Sequence, residues 1–217
     1  MLETTAWQQG WEALGLQGTA AQQQQLVAYL QLLQRWNKVH NLTAVRDPAE
    51  MLVVHLWDSL SVAPFVQGEY LLDVGSGAGL PGTPLAILNP DQHWTLLDTN
   101  GKKTRFIQQA AAELRLKNVT VVQARVENWK PVQSFNGIIS RAFASVVDFV
   151  QSSGQHLAKE GVLYAMKGHY PREELASLPL TWQLKVSHTL AVPNLGAERH
   201  LLELIPTTAS DDLRGAA

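Results

Sequence analysis

The chain of 217 residues contains no cysteine. Disulfides, thiolate-bound zinc, iron–sulfur clusters and a thiol nucleophile are therefore excluded. Charge is scarce as well. Only 17% of residues are charged, and 17 basic residues against 19 acidic ones leave a formal net charge of −2. That excludes a diffuse polycation, so any contact with nucleic acid must gather its basic side chains on one face. No apolar run approaches about 18 residues, and no transmembrane helix is expected. The opening residues, Met1-Leu2-Glu3-Thr4-Thr5, lack the basic and apolar regions of a secretory signal. A cytoplasmic protein without membrane attachment is the expectation. No internal repeat and no long linker interrupt the chain, and its 46% hydrophobic content suits one good core.

What is present is a change of rhythm near residue 67. Before it the chain reads as helical. Leu26, Tyr29, Leu30, Leu33 and Trp36 recur at three- and four-residue steps, an amphipathic stripe over Gln22 to Val39. The polar run Gln22 to Gln25 reads as a solvated first turn. Asp47-Pro48-Ala49-Glu50 supplies an N-cap, a proline at N1 and a glutamate at N3, so a second helix is predicted to run to about Val62. After residue 67, strand-like runs (Tyr70–Val74, His93–Leu97, Val119–Gln123, Gly137–Ser140, Gly161–Met166, Gln183–Val192, His200–Ile205) alternate with helical ones. This predicts an α/β fold with a mostly parallel, doubly wound sheet of seven strands. The last two strands are joined too closely for a crossover, so one is expected to run antiparallel at the edge. The expected division is a helical extension over 1–66 packed on the core, a Rossmann-like core over 67–206, and a disordered tail over 207–217.

The most informative segment is Leu71-Leu72-Asp73-Val74-Gly75-Ser76-Gly77-Ala78-Gly79-Leu80-Pro81-Gly82. An apolar strand runs into a glycine-dense turn, where the backbone can take positive φ and approach a ligand closely. The spacing is G-x-G-x-G. The third glycine of the dinucleotide fingerprint is missing, since Leu80 follows Gly79, which disfavours a dehydrogenase. The turn, with Asp73 before it, resembles the cofactor loop of class I S-adenosylmethionine (SAM) methyltransferases. In open α/β sheets ligands bind at the carboxyl ends of the strands. Those ends fall here at Gly75, Asp98, about Ala124 and Arg141.

Each candidate has a plain alternative. Asp98 is placed to accept hydrogen bonds from a ribose diol, with Thr99 beside it; otherwise it caps the following helix. Asp73 holds the glycine loop or the cofactor's ammonium, or is purely structural. Val126 and Glu127 could cover adenine and meet its polar edge, or form an ordinary loop. Arg141, at a strand end inside a crevice, needs an anion. The candidates are the SAM carboxylate, an RNA phosphate, or a salt bridge to Asp148 or Glu127. Lys102, Lys103, Lys167 and Arg199 could meet RNA or be solvated surface charges. His55 reads first as a packed histidine and second as a contact to the RNA substrate, and Asn41 is ambiguous between the same two roles.

Trp36-Asn37-Lys38-Val39-His40-Asn41-Leu42-Thr43, Arg46-Asp47-Pro48 and His55-Leu56-Trp57-Asp58-Ser59 resemble one bacterial family in order and content. The glycine segment, Ser140-Arg141-Ala142-Phe143, Lys167-Gly168 and Glu198-Arg199-His200 extend the resemblance across roughly residues 20–205. It is the ribosomal RNA small-subunit methyltransferase G family, also called glucose-inhibited division protein B. The resemblance implies a class I fold and SAM-dependent methylation of N7 of guanine 527 in 16S rRNA. The substrate would be the 30S subunit or an assembly intermediate, with no obligate protein partner evident. By the match, Gly75, Leu80, Val126, Glu127 and Arg141 fall at SAM-contact positions, with Asp98 and Thr99 beside the ribose.

The residues agree with that chemistry. Guanine N7 has a lone pair and no proton, so no general base is needed and Arg141 is expected only to position. The missing thiol excludes pyrimidine C5 methylation. Ser140-Arg141-Ala142-Phe143 stands where enzymes methylating exocyclic amines carry an Asn/Asp-Pro-Pro-aromatic turn. Two other readings stay open: a SAM methyltransferase of a small molecule or protein, and a non-catalytic regulator that binds an adenosine cofactor.

Overall fold

A computed structural model describes residues 4–141 and 143–207. The tail expected to be disordered lies, from residue 208 onward, outside the described residues. The extension comprises α1 (Thr4–Ala13), α2 (Ala20–His40) and a continuous helical stretch made of α3 (Pro48–Met51), a π-helical segment (Leu52–Trp57) and α4 (Asp58–Leu60). Asp47 caps α3 through the Glu50 amide at 2.9 Å, with Pro48 behind it, as its sequence predicts. Thr19 caps α2 in a capping box with Gln22.

The glutamine run of α2 is only partly solvated: Gln24 is exposed, and the others are half-buried. The Gln22 side-chain amide donates to the Ile87 and Leu88 carbonyls at 3.1 and 2.8 Å, and Gln25 donates to the Leu114 carbonyl at 2.9 Å. These are carbonyls at the C-terminal ends of two core helices, which lack intrahelical donors. Glutamine is long enough to reach them, so the polar run fastens α2 to the core.

The core alternates β1 (Tyr70–Val74), α5 (Gly82–Leu88), β2 (His93–Asp98), α6 (Gly101–Glu113), β3 (Val119–Gln123), β4 (Phe135–Ser140), α7 (Val146–Ser153), β5 (Leu157–Lys167), α8 (Arg172–Ala176), β6 (Trp182–Thr189) and β7 (His200–Pro206). The sheet order is β3-β2-β1-β4-β5-β7-β6. The strands from β3 to β5 pair in parallel, and β7 is antiparallel to both of its neighbours. The antiparallel strand was expected at the edge; it lies inside it. β6 takes the edge because its short return to β7 forms a hairpin that inserts β7 against β5.

Period-two alternation distributes β1 between two cores. Leu71 packs with Leu26, Tyr29, Leu30 and Trp57 of the extension and with α5 and α6, while Leu72 and Val74 pack with Phe135 and α7. Asp73, between them, therefore faces the extension side. The extension and the sheet share one continuous apolar cluster. No described helix is long and apolar enough to cross a membrane.

Candidate active site

The order of the sheet reverses at β1, between β2 and β4, so the crevice opens beyond its carboxyl end. There the glycine turn closes on itself. Gly75, Gly77 and Gly79 have φ of 71°, 59° and 84°, a region costly for any residue with a Cβ. A Cβ on Gly77 would meet nothing nearer than 4.0 Å, so that face of the turn is open, whereas one on Gly79 would strike the Thr83 hydroxyl. Gly77 serves access and Gly79 serves packing.

Two carboxylates hold the turn from opposite sides. Asp98 Oδ2 accepts from the Gly77 amide and Oδ1 from the Asn100 amide, both at 2.8 Å. Asn100, not Asp98, caps α6, through the Lys102 amide at 2.9 Å. Asp98 is thus not the helix cap, and each of its oxygens keeps a lone pair for another donor. Asp73 Oδ2 accepts from the Gly82 amide at 2.8 Å, and Oδ1 is buried with no hydrogen-bond partner among the described residues. A third tie comes from the extension: the Tyr29 hydroxyl, fully buried, donates to the Ala78 carbonyl at 2.6 Å. Sequence periodicity identifies Tyr29 only as a core residue; its hydroxyl is the signal that it does more, because a buried phenol needs a partner. Tyr29→Phe should leave that carbonyl unpaired and weaken cofactor binding by about 1–2 kcal/mol. Calorimetric titration with SAM checks this, and an unchanged affinity would mean that the turn holds its shape without α2.

A cavity of about 320 Å³ lies beyond these strand ends. Of the cofactor-site candidates, Gly75, Asp98, Thr99, Val126 and Glu127 line it, joined by Arg125, Phe143 and Lys103, the last expected at RNA. Gly77, Gly79, Leu80 and Asp73 form the turn behind it and are not on its wall. The residues fit the adenosine half of SAM: an open positive-φ turn, a carboxylate with acceptor capacity at the end of β2, and apolar surface from Val126 and Phe143.

Arg141 is elsewhere. It lines a second cavity, of about 300 Å³, with His55, Asp58, Lys167, Gly168 and Arg199. Its carboxylate partner within the protein is neither Asp148 nor Glu127. Arg141 donates to Asp58 Oδ2 at 3.0 Å and to the Val54 carbonyl at 3.1 Å, while Arg199 Nε donates to Asp58 Oδ1 at 2.9 Å. Asp58 is 2% exposed, so the acid between two guanidiniums is buried. The second cavity brings together three RNA candidates, His55, Lys167 and Arg199. It does not include Asn41, which ends α2 in the left-handed conformation and accepts from Arg46, or Lys102, exposed on the first turn of α6.

Burial sets two proton affinities here. Burial, followed by the nearby Arg141 charge, lowers His55 to about 4; Nε2 of its neutral ring meets the Thr43 hydroxyl at 2.8 Å. Burial raises Asp73 to about 7 against the opposing Gly82 amide and Arg141 charge. These groups act oppositely on stability. Between about pH 4 and 6.5 the unfolded chain binds more protons at His55, so stability rises with pH; from about 4 to 7 the folded chain binds more at Asp73, so stability falls. Asp73→Asn removes the second effect. Its urea midpoint should climb more steeply than that of the parent protein from pH 4.5 to 6.5 (roughly, the window of both shifts). Parallel profiles would contradict this.

The sheet order, the open glycine turn and the acid at the end of β2 define the fold of class I SAM-dependent methyltransferases. The fold is similar to a SAM-dependent methyltransferase from Geobacter sulfurreducens in complex with S-adenosyl-L-homocysteine, with a TM-score of 0.53, 13% identity, and coverage of 82% of this chain and 98% of that one. It is also similar to TrmN from Thermus thermophilus, with a TM-score of 0.55, 17% identity, and coverage of 69% of this chain and 47% of that one. The model of the GidB family, rRNA small subunit methyltransferase G, matches residues 22–202. Ribosomal RNA small subunit methyltransferase G of Marinobacter nauticus is 52% identical over 193 residues, 89% of this chain and 90% of that protein. The protein of that name from Ectopseudomonas mendocina is 53% identical over 199 residues, 90% and 92% of the two chains. The chain belongs to the rRNA small subunit methyltransferase G family.

Proposed function

We propose that the protein methylates N7 of a single guanine in the 16S rRNA of the small ribosomal subunit. The observation that carries this reading is the pairing of two cavities across the segment after β4. One is suited to an adenosine cofactor; the other is lined by Arg141, Arg199 and Lys167 together with a histidine of suppressed basicity. When bound, SAM supplies an electrophilic methyl group on a sulfonium. Asp98 would hold its ribose, Val126 and Glu127 its adenine, and the turn from Gly75 to Leu80 would border its backbone side.

The remaining work is orientation. N7 attacks through its lone pair and loses no proton, so no residue has to act as a base. Holding two reactants in line can supply roughly 7–11 kcal/mol of barrier lowering. Arg141 and Arg199, fixed by Asp58, give the second cavity a positive wall for a polyanion. The enzyme would act in the cytoplasm, on 30S subunits or an assembly intermediate. Labelled SAM incubated with unmethylated 30S subunits, followed by mapping of the label, tests the reading. Label on N7 of one 16S guanine is expected. Label on protein or small molecules, or SAM binding without transfer to RNA, would overturn it.

A further inference from the structure

Lys167 ends β5 on the wall of the second cavity, where a lysine invites assignment to an RNA phosphate. Its surroundings say otherwise. The ammonium meets Glu174 Oε1 and Oε2 at 3.2 and 2.8 Å and the Ala144 carbonyl at 3.1 Å, and its side chain is 12% exposed. Three acceptors surround a group with three protons. Glu174, on the short helix α8, also accepts from the Val146 amide at 2.6 Å. That amide is the first of α7, one of the donors a helix leaves unpaired at its start. Ser145 takes the next tie, from the Asp148 amide at 3.0 Å.

One ion pair therefore fastens the chain on both sides of Ser145, at the Ala144 carbonyl and the Val146 amide. The segment it fastens leads back to Phe143, which lines the cofactor cavity and packs on Phe149 at 5.1 Å between ring centroids. It begins at Arg141, itself anchored to Asp58. Resting on the methyl-transfer reading above, we propose that Lys167 and Glu174 form a positioning pair that sets the β4–α7 segment between cofactor and guanine, and that Lys167 is not a phosphate contact.

The two roles differ in sign at Glu174. If the local charges act only on RNA, removing an acid there strengthens binding and leaves transfer intact. If the pair positions the segment, removing the acid harms transfer as much as removing the lysine. The experiment measures single-turnover methyl transfer to unmethylated 30S subunits at saturating SAM and saturating subunits, with RNA affinity followed against salt. Lys167→Met and Glu174→Ala should each slow transfer about tenfold, the scale of a small misplacement of reacting groups, and the double variant should be no slower than the worse single one. Glu174→Gln, which keeps an acceptor for Val146, should lie between and decides the matter if Glu174→Ala does not fold. The salt dependence of binding should not change.

A drop of about 0.7–0.9 in the salt slope of Lys167→Met, the mark of one lost phosphate contact, with normal transfer by Glu174→Ala, would overturn the proposal. The parent protein runs alongside as the control for the functional reading. Should it fail to methylate 30S subunits, that reading falls, and the pair is judged on SAM affinity alone through Phe143: a weakened Kd in both variants upholds it, and unchanged values overturn it.

Discussion

Asp98→Asn should weaken SAM binding about as severely as Asp98→Ala. The two carboxylate oxygens of Asp98 each face a backbone N–H, one from Gly77 and one from Asn100. Asparagine has a single acceptor oxygen and must turn its NH2 toward one of these donors. The usual isosteric substitution thus sets donor against donor in a group that is 7% exposed. Charge-assisted hydrogen bonds contribute about 1.5–3 kcal/mol each. Losing the charge and one of these bonds to a donor–donor clash, along with the acceptor for the ribose, should cost roughly 3–5 kcal/mol of binding on that scale. Titration calorimetry with SAM and S-adenosylhomocysteine would measure it, and the loss should be similar for both because they share the ribose. An asparagine variant binding within a few-fold of the parent protein would show that the turn closes without Asp98 and that the ribose is held elsewhere.

What the sequence reveals about this site divides by range. The glycine turn is legible because its information is local: three glycines at fixed steps after an apolar strand specify both the turn and its positive φ. The place of Asp98 is legible for the same reason, since the strand rhythm puts it at a carboxyl end. Its bond to Gly77 is not, because that depends on how β1 and β2 sit side by side. Arg141 sharpens the distinction. Its need for an anion follows from position and charge alone, yet the anion, Asp58, is 83 residues away on a helix that sequence assigns only to the extension. The polar run at Gln22 misleads for a related reason. A glutamine facing water and a glutamine closing another helix read identically until the second helix is in place.

These misses share a direction. Tyr29 on the glycine turn, Gln22 and Gln25 on the helix ends, and Asp58 between two arginines all belong to the extension and act on the Rossmann-like core. Periodicity marks such residues as packing or surface, since it registers which face a side chain occupies and not what it meets there. His55 and Asp58 are carried by the π-helical segment and the turn after it, a local irregularity that recurs at functional sites. The extension therefore forms one wall of the second cavity as well as a support for the first.

Asp58→Ala should be the most damaging single change in that wall. The substitution leaves Arg141 and Arg199 converging on an empty buried position, their side chains 29% and 25% exposed and their shared counter-charge gone. Removing one side of a buried ion pair costs about 3–5 kcal/mol, because the remaining charge is uncompensated. Here two like charges are left, so the upper part of that range is expected. Arg141→Ala and Arg199→Ala should each cost less, since either leaves Asp58 with one guanidinium, and Arg141→Lys should restore little because an ammonium cannot repeat the split contact to Asp58 and the Val54 carbonyl. Urea unfolding of the variants supplies the ranking. Methyl transfer to 30S subunits below the unfolding range should fall in the same order, as Arg141 loses its fixed place beside the β4 end. If Asp58→Ala proved milder than Arg141→Ala, the acid would be the strained member of the triad and Arg141 would be held by the Val54 carbonyl alone.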